Sequence, residues 1–336
     1  MNVLVTGGAG YIGSHIVKQL AYESNYYVTV LDNLSTGHQA TIDTLSSMFD
    51  KKERFKFIEA DLSDFENIAQ ILKEEKFDAI LHFAASIVVP ESVQNPMKYY
   101  LNNTANTANL IKQCIDNSVN NFVFSSTAAV YGEPKEVPVK EDSIKEPINP
   151  YGSSKLMSET ILQDAAKAHE GFNFVILRYF NVAGADIENR IGQSFPDATH
   201  LIKVAAQTAL KKRDKMFIYG DDYDTEDGTC IRDYIHIDDL ADAHIKSLEY
   251  MLKNRKSNIF NCGYGHGFSV DAVINTMKEV TKIDFLAEYV QRRAGDPAVL
   301  ISDNLKIKSE LKWSPKYDNL ETICNTAFEW EKTLNT

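Results

Sequence analysis

Through the first half of the chain, short β-branched or aromatic runs alternate with longer stretches whose apolar residues recur at helical spacing. NVLVT (2–6), YVTVLD (27–32), FKFIEAD (55–61), AILHFAA (79–85), NFVFSST (121–127) and FVILRYF (174–180) predict strands. They are nearly continuous in apolar character, as strands covered on both faces must be. Residues 64–76, 98–117 and 152–169 predict helices between them. This alternation predicts an α/β fold built on a doubly wound parallel sheet, with ligands at the carboxyl ends of its strands. After RYFNVAGAD the rhythm breaks into shorter helices and loops rich in Gly, Asp and Pro. The expected division is a dinucleotide-binding domain over 1–180 and a smaller mixed α/β substrate domain over 181–336. Residues near 230–250 read as a strand and helix that pack back on the first domain.

Composition narrows the function classes. Of 336 residues, 44% are apolar and 24% charged, an ordinary globular balance, and the net charge of −12 argues against nucleic acid as a partner. No stretch approaches the roughly 18 apolar residues of a membrane span. The first apolar run has no basic segment before it and glycine directly after, which reads as a strand rather than a signal peptide. Cys114, Cys230, Cys262 and Cys324 show no C-x-x-C and no metal-ligand spacing, so no metal is expected. They read as reduced, buried thiols of a cytoplasmic protein.

The chemistry begins in the first loop. TGGAGYIG lies between a predicted strand and helix, and its glycines fit two templates. Gly8, Gly10 and Gly13 spell G-x-G-x-x-G; Gly7, Gly10 and Gly13, led by Thr6, spell T-G-x-x-G-x-x-G. Either lets the backbone approach a pyrophosphate at a helix N-terminus, so the sheet is expected to be of Rossmann type. Asp32 ends the second strand 32 − 13 = 19 residues after Gly13. A carboxylate there accepts from ribose hydroxyls and repels a 2′-phosphate, so the expected cofactor is NAD. Asp61 ends the third strand, where adenine would lie, and HFAA (82–85), with Phe83 and the small Ala84 and Ala85, ends the fourth where a backbone must pass close to the cofactor. His82, among apolar neighbours, reads as a packed strand residue.

A second constellation lies in PYGSSKLMSE. Tyr151 and Lys155 are four apart, so on a helix they share a face. A cation near the phenol favours phenolate and makes tyrosine a usable base. Ser125, Ser126 and Thr127 end the fifth strand, where a hydroxyl can meet the reacting oxygen beside the tyrosine.

With these residues in place, the chain resembles the extended short-chain dehydrogenase/reductases. Within them it is similar, over nearly its whole length, to the 4-epimerases of UDP-hexoses. DNLSTGH, ESVQNPMKYYLNN, LRYFNVAGA and RRAGDPAVLISD carry the resemblance together with the stretches above. YGDDYDTEDGTCIRDYIH is the most specific to the epimerases. The resemblance implies interconversion of UDP-galactose and UDP-glucose, in galactose metabolism, through a 4-ketose. Tyr151 would be acid/base, Lys155 its partner and a ligand of the nicotinamide ribose, and Thr127 a hydrogen-bonding partner of the sugar's 4-oxygen. Tyr11, Ile12, Asp32, Asn33, Thr36, Asp61, Leu62, Asn102 and Tyr179 match cofactor contacts. Asn181, His200, Tyr219, Arg232, Arg293 and Asp296 match the uridine diphosphate grip, and two arginines suit a diphosphate.

The sequence also departs from its relatives. Ile87 replaces a lysine that some carry near the cofactor. His200 stands where an asparagine often binds the diphosphate, and a packing role for it stays open. Leu300 falls where a bulkier residue limits N-acetylated sugars, which leaves UDP-N-acetylhexosamine, or another UDP-sugar, as an alternative substrate. Ala128 and Ala129 follow Thr127 where dehydratases and decarboxylases place an acid, which disfavours both. A catalytically silent NAD-sensing module is the reading from another class. The apolar stripes of MKYYLNNTANTANLIKQCI and LMSETILQDAAKAH fit a four-helix interface across a two-fold axis, and the resemblance likewise implies a homodimer.

Overall fold

The computed structural model describes residues 1–197, 199–293 and 295–334. Strands β1 (Asn2–Thr6), β2 (Tyr27–Asp32), β3 (Phe55–Glu59), β4 (Ala79–His82), β5 (Asn121–Ser125) and β6 (Asn173–Tyr179) form one sheet with the strand Asn258–Cys262. The order from one edge is Asn258–Cys262, β6, β5, β4, β1, β2, β3. The pairings from β3 to β6 are all parallel. The chain therefore reverses its direction of travel between β1 and β4, the switch point where a Rossmann-type sheet receives its ligand. Apolar contact across the sheet comes from Leu4, Leu31, Ile80, Phe122, Phe124 and Ile176, every one almost wholly buried. The near-continuous apolar runs seen in the sequence follow from this two-sided burial.

Four of the six strands stop short of the predicted ends: β3, β4, β5 and β6 close at Glu59, His82, Ser125 and Tyr179. The residues beyond leave the ladder as loops at the sheet's carboxyl end, freeing their side chains and backbone for other partners. The seventh strand, Asn258–Cys262, lay beyond the segments read as strands. Helix α1 (Tyr11–Tyr22) follows β1, and the long helix Pro150–Ala168 precedes β6. Its start follows from Asn149, whose side chain caps the Gly152 N–H, and from Pro150 in the first turn.

The region predicted as one helix over 98–117 is composite. A short helix Pro96–Tyr99 runs into a π-helical turn, Tyr100–Ala105, and then into the α-helix Asn106–Asp116. Hydroxyls take up the carbonyl of Asn103 in that widened turn, Thr107 Oγ1 at 2.5 Å and Ser158 Oγ at 3.1 Å.

The chain divides into two compact units. The first comprises Met1–Val130, Lys145–Arg178 and Ala241–Phe260; the second comprises Tyr131–Ile144, Tyr179–Leu240 and Asn261–Thr336. Within the second, three small sheets form: Asn181–Ala183 with Tyr234–His236, Met216–Tyr219 with Ala287–Val290, and Ile231–Arg232 between Phe268–Ser269 and Val299–Leu300. No described helix is long and apolar enough to cross a membrane.

Candidate active site

The first unit brings together the loops after β1, β2, β3 and β4. Gly7 adopts φ +73°, and a Cβ there would lie 2.6 Å from the Ala84 nitrogen. A Cβ on Gly13 would lie 2.3 Å from the Gly7 oxygen. Backbone thus packs on backbone, and the parsing that begins at Thr6 and Gly7 is the one the turn demands. Gly10 is the N-cap of α1; it offers no side-chain cap, and the first turn holds no acid. The helix's leading N–H groups keep their positive end unopposed, a fit to a pyrophosphate. Tyr11 and Ile12 open that helix, both half-buried.

Asp32 is 8% exposed, and its carboxylate accepts the Ala9 N–H at 3.0 Å and the Leu34 N–H at 2.8 Å. Burial raises its pKa, and the two backbone donors work against that rise. Each donor takes one lone pair, so the carboxylate keeps capacity for ribose hydroxyls. Asn33 donates to Asp61 at 2.6 Å, joining the loops after β2 and β3. Thr36 is exposed, Leu62 is buried, and Phe83, Ala84 and Ala85 are half-buried after β4. Asn102 donates to Ser86 Oγ at 3.1 Å. Its neighbour Asn103, which the sequence reading passed over, grips Ser86 twice: it accepts the Ser86 N–H at 2.8 Å and donates to the Ser86 carbonyl at 2.9 Å. It also donates to Ser154 Oγ at 3.0 Å, tying the β4 loop to the helix of Tyr151 and Lys155.

Thr127, Tyr151 and Lys155 converge and are all buried. Burial raises the pKa of Tyr151, and a hydrogen bond from the Thr127 hydroxyl works to lower it. Lys155 donates to the Ser125 carbonyl at 3.0 Å, with its ammonium 4.9 Å from the centre of the Phe124 ring. Burial pushes the Lys155 pKa down to about 7, while the Glu159 carboxylate opposes the fall. His82 is buried with its ring nitrogens on Thr6 Oγ1 at 2.6 Å and Thr107 Oγ1 at 2.8 Å. It is a packed strand residue held neutral by burial and by the Lys155 charge, with a pKa near 3.

The second unit gathers most of the other candidates. The Arg293 guanidinium lies 3.6 Å from the centre of the Tyr219 ring, and Arg232 Nη2 lies 3.6 Å from Asp296 Oδ1. The Asp296 N–H meets the Arg293 carbonyl at 3.4 Å. Arg232 is 8% exposed and donates to the Ile231 and Pro297 carbonyls at 2.9 and 2.8 Å. Parallel pairing puts Leu300 beside Arg232. Asn181 opens the neighbouring strand, and its N–H donates to the Asp233 carbonyl at 2.9 Å. Tyr179, half-buried, ends β6. His200 occupies the N-cap of the helix Leu201–Ala209, exposed and giving no side-chain cap; the charge it meets is Lys203, on that helix. It is not among the side chains joined around Arg232. Tyr223 was not anticipated. It is 6% exposed, stacked under Arg292 at 4.0 Å, with its hydroxyl unpartnered among the described residues. A tyrosine among acids in DDYDTED gives no pattern by which to single it out.

The model of the NAD dependent epimerase/dehydratase family matches residues 3–263. A UDP-glucose 4-epimerase of Azospirillum brasilense is 48% identical over 332 residues, which are 99% of this chain and 92% of that one. The UDP-Glc/GlcNAc 4-epimerase of Campylobacter jejuni is 57% identical, with a TM-score of 0.87 over 99% of both chains. The UDP-glucose 4-epimerase of Bifidobacterium longum, solved with NAD⁺ and UDP, is 33% identical, with a TM-score of 0.91 over 99% of this chain and 98% of that one.

Proposed function

The chain belongs to the NAD dependent epimerase/dehydratase family, and from that membership we propose that it interconverts UDP-galactose and UDP-glucose by inverting C4 of the hexose. The observation that carries the reading is the burial of Tyr151, Lys155 and Thr127 at the carboxyl end of β5, in the unit whose glycine loop and Asp32 fit NAD. NAD held there would supply the hydride acceptor and donor that an inversion without net oxidation needs. The C4 carbinol is not acidic, so proton removal has to accompany hydride loss. Tyr151 takes the 4-hydroxyl proton and later returns it, and Thr127 orients the same oxygen. The Lys155 ammonium favours the phenolate. Gly7, Gly10 and Gly13 with the start of α1 hold the pyrophosphate; Asp32 and Asn33 bind the adenosine ribose. Asn181, Tyr219, Arg232, Arg293 and Asp296 hold the uridine diphosphate. A grip confined to the nucleotide leaves the hexose free to present either face.

Incubating purified protein with UDP-galactose and no added cofactor should yield UDP-glucose; absence of conversion would refute the reading. Tyr151→Phe should keep NAD and UDP binding and lose about 10²–10⁴-fold in turnover, whereas near-normal rates would remove Tyr151 from the mechanism.

A second substrate pair has its own support. Leucine at position 300, paired beside Arg232, is smaller than an aromatic residue, and the Campylobacter jejuni relative is a UDP-Glc/GlcNAc 4-epimerase. The enzyme is read as accepting N-acetylated UDP-hexoses too. Leu300→Tyr should depress turnover of UDP-N-acetylgalactosamine far more than that of UDP-galactose; equal effects would exclude a gating role.

The proposed assembly is a homodimer. Val93, Met97 and Leu101 stand at i, i+4 and i+8, each at least 60% exposed, and Met157 is exposed on the helix that packs beside that segment through Thr104 and Ser154. The four described cysteines are buried free thiols, which supports a reducing, cytoplasmic setting.

A further inference from the structure

Tyr151, Lys155 and Glu159 form one stripe along the helix Pro150–Ala168. The proposed reaction uses the first two. Glu159, with 0% exposure, has no task in it. Its Oε1 accepts from Ser126 Oγ at 2.5 Å and from Arg178 Nε at 3.0 Å; its Oε2 accepts from Arg178 Nη2 at 2.6 Å. Arg178, on β6, is 2% exposed. Three successive residues after the core of β5 are thus held by one helix stripe. Lys155 grips the Ser125 carbonyl, Glu159 the Ser126 hydroxyl, and Tyr151 meets the Thr127 hydroxyl.

A fully buried ion pair is weak evidence for stability, because apolar residues of similar volume often serve as well. What apolar residues cannot supply is charge beside Lys155. Among the described residues, Tyr151 and Glu159 face Lys155 from its own helix, neutral His82 from β4, and the Phe124 ring and Ser125 carbonyl from β5; Arg178 on β6 is paired with Glu159. Glu159 is the one carboxylate in that set, and the Arg178 fork holds it in place.

We propose that Glu159 is a positioning residue for the Tyr151–Lys155 pair, holding Lys155 in its ammonium form and, through Ser126, fixing the strand end that carries Thr127. The proposal rests on the reading of Tyr151 as the proton-transfer group and not on the identity of the sugar.

Its test is a titration of the ultraviolet phenolate band of the purified, NAD-containing enzyme, with Tyr151→Phe as the blank, which needs no sugar substrate. In Glu159→Gln the Tyr151 midpoint should rise by about one unit or more. Turnover below that midpoint should then fall about tenfold, with UDP affinity unchanged. Because Glu159→Gln removes the carboxylate that the Arg178 fork meets, the double variant Glu159→Leu/Arg178→Met is measured beside it; it fills the space with apolar volume and should melt cooperatively. The same upward shift in the folded double variant, and its partial reversal in Glu159→Asp, support the proposal. An unshifted midpoint in the folded double variant overturns it and leaves Glu159 as packing. Failure of the wild type to convert UDP-galactose, with the phenolate shift intact, would sink the epimerase reading and leave this one standing.

Discussion

At the scale of single residues, the site is made by burying groups that prefer water. His82 shows what this does to stability. Its folded-state pKa is near 3 against an ordinary 6.5, because burial and the Lys155 charge disfavour imidazolium. The unfolded chain therefore binds the extra proton. The stabilising effect of neutral His82 is complete above about pH 6.5 and is lost as pH falls toward 3, by up to about 1.4 kcal/mol per pH unit. His82→Gln keeps hydrogen-bonding capacity and removes the titration. Denaturant unfolding across that window should show a shallower acid decline in the variant, and parallel curves would deny His82 this role. Lys155 follows the same sign in a higher window, since its folded-state pKa is lowered too. With a folded pKa near 7 and an unfolded one near 10.4, its burden is full below about pH 7 and is relieved as pH climbs toward 10.

At the scale of elements, the carboxyl ends of the strands are where pattern and function part. The apolar runs announced β1 to β6 because burial on both faces leaves a long hydrophobic signature. The runs could not announce where each strand stops, since IEAD, HFAA and SSTA stay short or apolar after leaving the ladder. Tyr151 and Lys155 were legible because helix spacing alone puts them on one face. Asn103 was not, because its partners Ser86 and Ser154 lie 17 and 51 residues away. Glu159 closes the PYGSSKLMSE stretch, yet its meaning depends on Arg178, which sequence places on another element. The glycine loop was legible to the extent that its turn is local. Gly13→Ala sets a methyl against the Gly7 carbonyl, backbone that cannot yield without moving the loop. Purified Gly13→Ala should carry little NAD and melt at lower temperature; full NAD content by absorbance after denaturation would contradict this.

For the whole molecule, the test lies on the surface. Leu101 is 60% exposed on the segment that also shows Val93 and Met97, and a charge there opposes burial against a second copy. Leu101→Glu should shift sedimentation from dimer to monomer at micromolar concentration while leaving NAD bound. A wild type that sediments only near 37.8 kDa would refute the dimer outright.

The strand Asn258–Cys262 carries a consequence for how the protein is made. It is the neighbour that covers β6, and it is contributed by a part of the chain far downstream. During synthesis the sheet therefore waits, with the edge of β6 open to strand pairing, until most of the chain has left the ribosome. A gene truncated after residue 180 should consequently yield aggregating product rather than a free nucleotide-binding fragment, and a chaperone that shields an open sheet edge should raise the yield of the full-length chain.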